Sequence, residues 1–239
     1  DDPMNREFMK SSLSEVLTVD LPNDPSKYVK ILEDMIEFNV LEITNEDKQR
    51  GLMYSQQRER KKSEYSSSNL EDFLKNMDLK ITIQKANNFT IPRISQLILK
   101  TNQFNLTTKR YSLEDIQKIS QNNNMLIGCV QVEDKFGDNG ITAVFIVEKN
   151  GTKEWILDTF LLSCRVMGRQ IEKSIISYII KIAKQNGVDR IIATFIPTKK
   201  NQSIEKFLPD CGFKKEKNFW LISINESFKE PNFIKVEEK

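Results

Sequence analysis

The sequence predicts an α/β (α+β) protein with a central mixed sheet flanked by helices and preceded by a helical connector. Three observations favour this class. From Leu79 onward, alternating segments such as LKITIQ are separated by segments with apolar residues at helical spacing, such as TIPRISQLILK. Asn150-Gly151 is a strong hairpin signal and indicates antiparallel neighbours. A strand ending near Leu161, a long helix and a strand from Arg190 form a crossover, which requires two parallel strands.

The elements can be assigned in order along the chain. Before Leu79 we predict a short strand over 16–22, a helix starting at 24–26 and a charged helical connector, broken near the serines at 66–68. In the connector, Thr44 and Asp47 form a candidate capping box, and the basic run 58–62 is typical of a solvated helix face. From Leu79 the predicted elements are a strand (79–84), a helix capped by Thr90, a helix with Ser112 and Asp115 as a capping box, a strand (125–132), a glycine-rich loop (134–140), strands at 141–149 and 154–161, a helix from about 168 to 186 closed by Gly187, a strand (190–196), a helix (201–212) and a strand (218–225).

Composition excludes several classes of function. The 239 residues include three cysteines and no histidine, which rules out a histidine-dependent triad and argues against a zinc site, so no metal site is predicted. The net charge of +2 is too low for a strongly basic nucleic-acid binder. The sequence shows neither a signal peptide nor an apolar stretch of about 18 residues, so we expect no membrane partner. Sparse, odd-numbered cysteines fit a reducing cytoplasm.

Four separated motifs resemble the C-terminal half of FkbH-like proteins, which join a HAD-type phosphatase to a GNAT-like acyltransferase. They are KTNQFNLTTKRY (100–111), DKFGDNG (134–140), DTFLLSCRVMGR (158–169) and IPTKKN (196–201). The predicted order of elements is also that of the GNAT fold. The opening DDPMNRE resembles the end of the last acidic motif of the phosphatase half. The resemblance implies a phosphatase remnant over 1–40, a helical connector over 41–78, a GNAT-like domain over 79–228 and a C-terminal tail over 229–239.

The resemblance also implies an activity. FkbH-like proteins take an activated, phosphorylated three-carbon acid, remove its phosphate and pass the glyceryl group through a cysteine thioester to the phosphopantetheine thiol of an acyl carrier protein. This chain lacks the aspartate nucleophile motif of the phosphatase half, so phosphatase activity and its Mg are expected only in the missing domain. The implied partners are an acyl carrier protein and a small-molecule acyl donor.

Cys164 is the candidate nucleophile. Thiolates are favoured beside cations and at helix N-termini, and Arg165, Arg169 and the start of the long helix surround this cysteine. Asp158, expected on the same strand and face as Cys164, and Asp138, near a hairpin tip, are candidate catalytic carboxylates. The alternatives are a buried small hydrophobe for Cys164, a satisfied buried acid for Asp158 and a tight turn around Asp138.

The run from Arg165 to Gln170 resembles the GNAT loop whose backbone amides cradle a pyrophosphate and pantetheine. The candidate cofactor-binding residues are Arg165, Val166, Met167, Gly168 and Arg169, together with Lys200 and Asn201, which follow the parallel strand. Gln170 departs from the pattern because a small residue is expected there. That departure disfavours free coenzyme A and is compatible with a carrier-protein arm.

The segment TNQFNLTT supplies neutral hydrogen-bonding groups at Asn102, Gln103, Asn105, Thr107 and Thr108. These side chains suit binding of hydroxyls or a thioester carbonyl, or ordering of the loop itself. Two other functions stay open. One is a coenzyme A-dependent GNAT N-acetyltransferase, although Leu208 stands where many such enzymes carry a general-acid tyrosine. The other is a non-catalytic module that docks a carrier protein.

Overall fold

The computed structural model describes residues 2–13, 15–38, 45–151, 153–226 and 230–239. The chain forms two compact units, Asp1–Lys48 and Gln49–Lys239. The division between them lies inside the segment 41–78 that was predicted as a connector, and the predicted four-part division stays a prediction. Within the described ranges, no helix combines the length and the apolar character that a membrane span requires.

The first unit contains two short helices, α1 (Pro3–Ser12) and α2 (Tyr28–Asp34). Asp2 caps the first, and Asp24 accepts the backbone N–H of Ser26 at the start of the turn that leads into the second. Neither helix buries a residue. The predicted strand at 16–22 is wrong, because these residues form no strand. A strand must pair its backbone groups with a neighbour, and the described part of this unit offers none.

The connector is helical and interrupted where predicted. Helix α3 (Asn45–Tyr65) ends before the serines at 66–68, and α4 (Leu70–Lys75) begins after Asn69, whose side chain accepts the backbone N–H of Asp72. The predicted capping box at Thr44 and Asp47 lies outside the residues whose side chains the structure describes.

A mixed sheet of eight strands forms the centre of the second unit, with the order β6-β7-β5-β4-β3-β2-β1-β8. The predicted hairpins and the parallel crossover are confirmed, because β1 to β4 pair antiparallel in sequence and β4 pairs parallel with β5. Strand β8 pairs parallel with β1. The strands are β1 (Lys80–Lys85), β2 (Met125–Asp134), β3 (Gly137–Asn150), β4 (Glu154–Leu162), β5 (Arg190–Ala193), β6 (Lys214–Glu216), β7 (Phe219–Ser223) and β8 (Lys235–Glu238).

Helices cover both faces of this sheet, which confirms the predicted fold class and the GNAT-like order of elements. Alternation along β3 places Phe145 and Val147 in one apolar cluster and Val144 and Ile146 in the other. The first cluster packs against α4 and α7 and the second against α5 and α6. The remaining helices are α5 (Ile91–Lys100), α6 (Leu113–Gln121), α7 (Ile171–Gln185) and α8 (Phe207–Asp210).

Several details differ from the sequence prediction, among them the helix predicted over 201–212, which is a 3-10 turn at Gln202–Ile204 followed by α8, and the strand predicted over 190–196, which ends at Ala193. The predicted loop at 134–140 is only a tight turn, because β2 runs to Asp134 and β3 begins at Gly137. Strands β6 and β8 were not predicted, since their charged sequences KKE and KVEE lack the alternation of a half-buried strand. Such charges are common on the edge strands of a sheet, and β6 and β8 are the two edges of this one.

Candidate functional site

The corner between β4 and α7 contains the candidate nucleophile. After β4 ends at Leu162, the residues Cys164–Val166 form a single 3-10 turn, and α7 begins only at Ile171. Gly168 and Gln170 have φ values of 79° and 60°, and this left-handed backbone delays the helix start beyond the predicted position. The corner is therefore an irregular loop that presents the first amides of a long helix.

The prediction that Asp158 and Cys164 lie on the same strand and the same face is wrong. Cys164 lies beyond the end of β4, and the register between β3 and β4 shifts between the pairs Ile146–Thr159 and Val147–Leu157, with Asp158 as the extra residue. A bulge of this kind breaks the simple alternation of side chains along a strand. The alternation of side chains along a strand therefore does not relate Asp158 to Cys164, although they are six positions apart.

Cys164 is the exposed cysteine of the chain, whereas Cys129 and Cys211 are buried. Burial raises the pKa of the Cys129 thiol to about 11. Burial, followed by the nearby charge of Glu172, raises the pKa of Cys211 as well. A thiolate is the reactive form of cysteine, so burial makes the other two thiols poor nucleophiles and leaves Cys164 as the accessible one.

Arg169 faces the protein interior. Its Nη1 atom lies 2.9 Å from Oδ2 of Asp134, and Arg60 of α3 binds the same carboxylate through two contacts of 2.7 and 2.9 Å. Arg169 also donates to the backbone oxygen of Arg165 at 2.7 Å. Burial lowers the pKa of Arg169 to about 10 although Asp134 opposes this shift. Arg169 thus fastens the corner to α3 and β2.

Sequence reasoning missed Arg60 and Asp134. Arg60 was read as part of a solvated run, yet it is only 3% exposed. One signal was present: Val130, Val132 and Asp134 alternate along β2 at buried positions. A charged residue in the inward register of a strand requires a charged or hydrogen-bonding partner.

The other residues of the corner are split between the core and the surface. Val166 is fully buried and anchors the 3-10 turn. Arg165 lies between the hydroxyl of Ser163, at 3.5 Å, and the thioether of Met53 in α3. A side-chain Cβ placed on Gly168 would find no atom within 4 Å, so open space surrounds this residue.

The segment Phe104–Leu106 lies beside β4 where that strand runs past β5. Backbone pairing of β4 with β5 covers only Glu154–Leu157. Beyond it, Leu106 donates to the oxygen of Phe160 and Leu162 donates to that of Phe104, both at 3.0 Å. On its other side, the oxygen of Leu106 accepts the N–H of Ile196 at 3.0 Å. The segment thus fills the space between the two diverging strands.

The polar side chains of TNQFNLTT mostly hold this segment in place. Asn105 is fully buried; its Oδ1 accepts from the backbone N–H of Thr108 at 2.9 Å, and its Nδ2 donates to the oxygen of Thr101 at 3.2 Å. Thr107 donates to the backbone oxygen of Asp158 at 3.0 Å. Gln103 is exposed. The contacts of Asn105 and Thr107 therefore match the alternative in which these side chains order their own loop, while substrate binding stays a prediction.

Asn201 also holds the segment Phe104–Leu106 in place. Its Nδ2 donates to the backbone oxygens of Asn105 and Ile196 at 2.9 and 3.0 Å, and its Oδ1 accepts the N–H of Thr198 at 2.7 Å. The side chain is fully buried, whereas Lys200 beside it is exposed. Asn201 therefore joins the segment Phe104–Leu106 to the chain that follows β5, and Lys200 lies on the protein surface.

The candidate carboxylates are both hydrogen-bonded within the protein. Asp158 is buried and accepts from Tyr111 Oη and Thr159 Oγ1, both at 2.8 Å, and from the ammonium of Lys109. Burial and the hydrogen bond to Asp158 raise the pKa of Tyr111. Asp138 is exposed and accepts from Gln131 Nε2 at 2.8 Å. Among the described contacts, none joins either carboxylate to Cys164.

A pocket of about 190 Å³ lies beside the corner. Phe104, Ile204 and Phe207 give it apolar walls, whereas Ser203 and Lys206 are exposed and lie at its open side. It brings the candidate residues Met167 and Gly168 together, but Cys164 is not in its wall. The lining comprises Phe104, Met167, Gly168, Glu172, Lys173, Ser203, Ile204, Lys206, Phe207, Asp210 and Cys211.

The lining of this pocket combines apolar side chains with two cations and two carboxylates. The cations Lys173 and Lys206 favour an anionic group in the pocket, and the carboxylates Glu172 and Asp210 oppose one. Gln170 lines a different pocket, together with Leu70 and Pro231. The crowding expected from Gln170 therefore does not fall on the pocket that Gly168 lines.

Comparisons with known proteins give no family for this chain. No family model matches the sequence, and no curated protein matches it. Solved structures with a similar fold include the GNAT domain of PAT from S. lividans, at 14% identity and a TM-score of 0.47, over 59% of this chain and 89% of that one. Another is a GNAT-family acetyltransferase from Staphylococcus aureus, at 16% identity and a TM-score of 0.46, over 61% and 99% of the two chains. A third is a Mycobacterium tuberculosis protein in complex with CoA, at 13% identity and a TM-score of 0.45, over 56% and 72%. Similarity at such low identities and TM-scores gives no information on the substrate or the activity of this chain.

Proposed function

We propose that this chain is an acyltransferase that passes a glyceryl-type, three-carbon hydroxy-acyl group through a Cys164 thioester to the phosphopantetheine thiol of an acyl carrier protein. The observation that carries the proposal is the exposed Cys164 thiol at the corner where β4 meets the N-terminus of α7. A nearby pocket lined by Gly168, Lys173 and Lys206 supports it, because it fits the accepting arm. The resemblance to FkbH-like proteins supplies the acyl group and the carrier.

The chemistry divides into two exchanges at one sulfur atom. In the first, the Cys164 thiolate forms an S–C bond to the acyl carbon of an activated donor, whose leaving group departs with the electron pair. In the second, the Cys164 sulfur leaves as thiolate when the deprotonated thiol of the arm takes the acyl carbon. An oxyanion forms during each exchange, and backbone N–H groups are the donors that usually stabilise such a charge.

Mass spectrometry of the intact chain tests the covalent step. After incubation with a glyceryl thioester of a small thiol, the wild-type chain should gain one glyceryl group at Cys164, and Cys164→Ala should gain none. Ser163→Ala is the matched control, because it alters the neighbouring residue and keeps the thiol. A glyceryl adduct that persists in Cys164→Ala would contradict the thioester role.

A coenzyme A-dependent N-acetyltransferase is the second candidate. The open space around Gly168 favours it, because a pyrophosphate could approach the backbone there without a clash. Calorimetry separates the two functions: an acetyltransferase should bind coenzyme A far more tightly than free phosphopantetheine. A docking module without catalysis would instead bind a carrier protein while Cys164→Ala left full-length turnover unchanged.

A further inference from the structure

One face of α3 lies against the 3-10 turn at the corner and against the turn between β2 and β3. Met53, Gln56 and Arg60 are spaced by three and four residues, which places them on the same side of the helix. The Met53 thioether accepts a hydrogen bond of 2.7 Å from Nη1 of Arg165 in the 3-10 turn. A Cβ placed on Gly137 would lie 2.1 Å from the amide nitrogen of Gln56, so that side chain covers the other turn.

Arg60 is the main attachment of this face. Among the side chains of α3 that the structure describes, that of Arg60 alone is buried. Its Nε and Nη2 atoms donate to the two oxygens of Asp134 at 2.7 and 2.9 Å, and Nη2 also donates to the backbone oxygen of Gly137 at 3.4 Å. A bidentate ion pair fixes the orientation of a guanidinium as well as its distance. The position of α3 on the sheet therefore depends on one oriented side chain.

The carboxylate of Asp134 also connects α3 to the backbone of the Cys164 turn. Asp134 accepts from Nη1 of Arg169 at 2.9 Å, and Nη2 of Arg169 donates to the backbone oxygen of Arg165 at 2.7 Å. Arg165 directly follows Cys164 in the 3-10 turn. The turn is consequently held at two points of one residue, at its side chain by the thioether of α3 and at its carbonyl by the two ion pairs.

The orientation of the thiol matters for acyl transfer, because the sulfur must approach the acyl carbon along a defined direction. A displacement of about 1 Å can lower such a rate about 100-fold. We propose that Arg60 is a positioning residue for the acyl-transfer step and that, through Asp134 and Arg169, it holds the turn in the geometry in which the Cys164 thiol meets the acyl carbon. The inference rests on the proposed function, because that function makes Cys164 the acyl carrier.

The rate at which the intact chain gains a glyceryl group tests the proposal, with a glyceryl thioester of a small thiol as the donor and mass spectrometry as the measurement. Arg60→Met removes the bidentate contact and keeps a long side chain, and its rate should fall about tenfold. Arg60→Lys keeps the charge but only one point of contact, so its rate should lie between those of Arg60→Met and wild type. Arg58→Met is the matched control, because Arg58 is an exposed arginine of the same helix, and its rate should equal that of wild type.

Alkylation by iodoacetamide separates the orientation of the thiol from its accessibility and from folding. Alkylation requires only an accessible thiolate, so Cys164 should react within about twofold of its wild-type rate in every variant. Cys129 and Cys211 are buried and should stay unmodified as long as the chain is folded. Equal losses of glyceryl transfer and of Cys164 alkylation would overturn the proposal.

Met53→Leu provides a second test that leaves no buried charge unpaired. It removes the sulfur acceptor of Arg165, keeps an apolar side chain of similar size, and should lower glyceryl transfer about threefold while alkylation of Cys164 is unchanged. Glyceryl transfer at the wild-type rate in Arg60→Met or in Met53→Leu would overturn this inference alone. A wild-type chain that is alkylated at Cys164 but gains no glyceryl group would overturn the proposed function and this inference with it.

Discussion

Gln170 and Glu172 lie two residues apart at the start of α7, and each carries a conformational or electrostatic cost. Gln170 is held at a φ of 60°, where glycine is favoured, and Glu172 has an unpaired buried oxygen. The family pattern predicts a small residue where Gln170 stands, and this left-handed backbone gives the physical reason for that pattern. Costs of this kind cluster at functional sites, which is consistent with a site at this corner.

We expect Gln170→Gly to raise the free energy of unfolding by about 1 kcal/mol, because glycine adopts a positive φ without steric cost. Lys184→Gly, in the last turn of the same helix, is the control and should lower it by about 1 kcal/mol. Denaturant titration measures both values. Equal destabilisation by the two substitutions would show that the left-handed backbone at 170 carries no strain.

Stability should also depend on the ionisation of Glu172. The folded state raises the pKa of this acid above its ordinary value of 4.5, so the native chain holds the proton more tightly than the unfolded chain. The contribution of Glu172 to stability therefore falls as the pH rises from 4.5 through the folded pKa. Glu172→Gln should be more stable than wild type at neutral pH, and its advantage should disappear at a pH below 4.5. An advantage that is independent of pH would exclude this explanation.

At the scale of elements, the ion triad of Arg60, Asp134 and Arg169 connects α3, β2 and the corner before α7. The strands and helices around it were predictable, because Ser112 with Asp115 and the alternation along β2 are local signals. The triad was not predictable, because Arg60 and Arg169 lie 74 and 35 positions from Asp134 in the sequence. The alternation along β2 indicates that Asp134 needs a partner but not which residues supply it, so the positioning of the corner needed the structure.

Removing the shared carboxylate of the triad should be strongly destabilising. Asp134→Ala would leave two buried guanidiniums without a counter-charge, and we expect a loss of about 3–5 kcal/mol in the free energy of unfolding. The control is Lys181→Ala, which breaks the exposed pair with Glu238 and should cost less than about 1 kcal/mol. A loss of similar size in both variants would contradict the role of the triad.

At the scale of the whole molecule, the two compact units differ in how much they bury. Helices α1 and α2 of the first unit have no buried residue, and Phe8, Val29 and Ile36 are largely exposed. The second unit buries both faces of its sheet. We propose that the first unit belongs to a larger domain, as its resemblance to the end of a HAD-type phosphatase implies, because apolar side chains of this kind are normally covered.

Hydrogen exchange should report this difference directly. Amides of α1 and α2 should exchange by local opening and far faster than those of β2, β3 and β4, which open only with the sheet. Mass spectrometry of peptides from the intact chain provides the measurement. Equal protection of α1 and β3 would show that the first unit is stable in the chain as it stands.

The segment Phe104–Leu106 also has a consequence for the order of folding. The hydrogen bond between Asn201 and the oxygen of Asn105 joins residues 96 positions apart, and it forms only after α7 and β5 have crossed back to the sheet. Contacts of such long range are slow to form because a large loop must close first. The wall of the pocket that includes Phe104 should thus be completed late, so in a chain still leaving the ribosome the antiparallel strands β1 to β4 would pair before this wall forms.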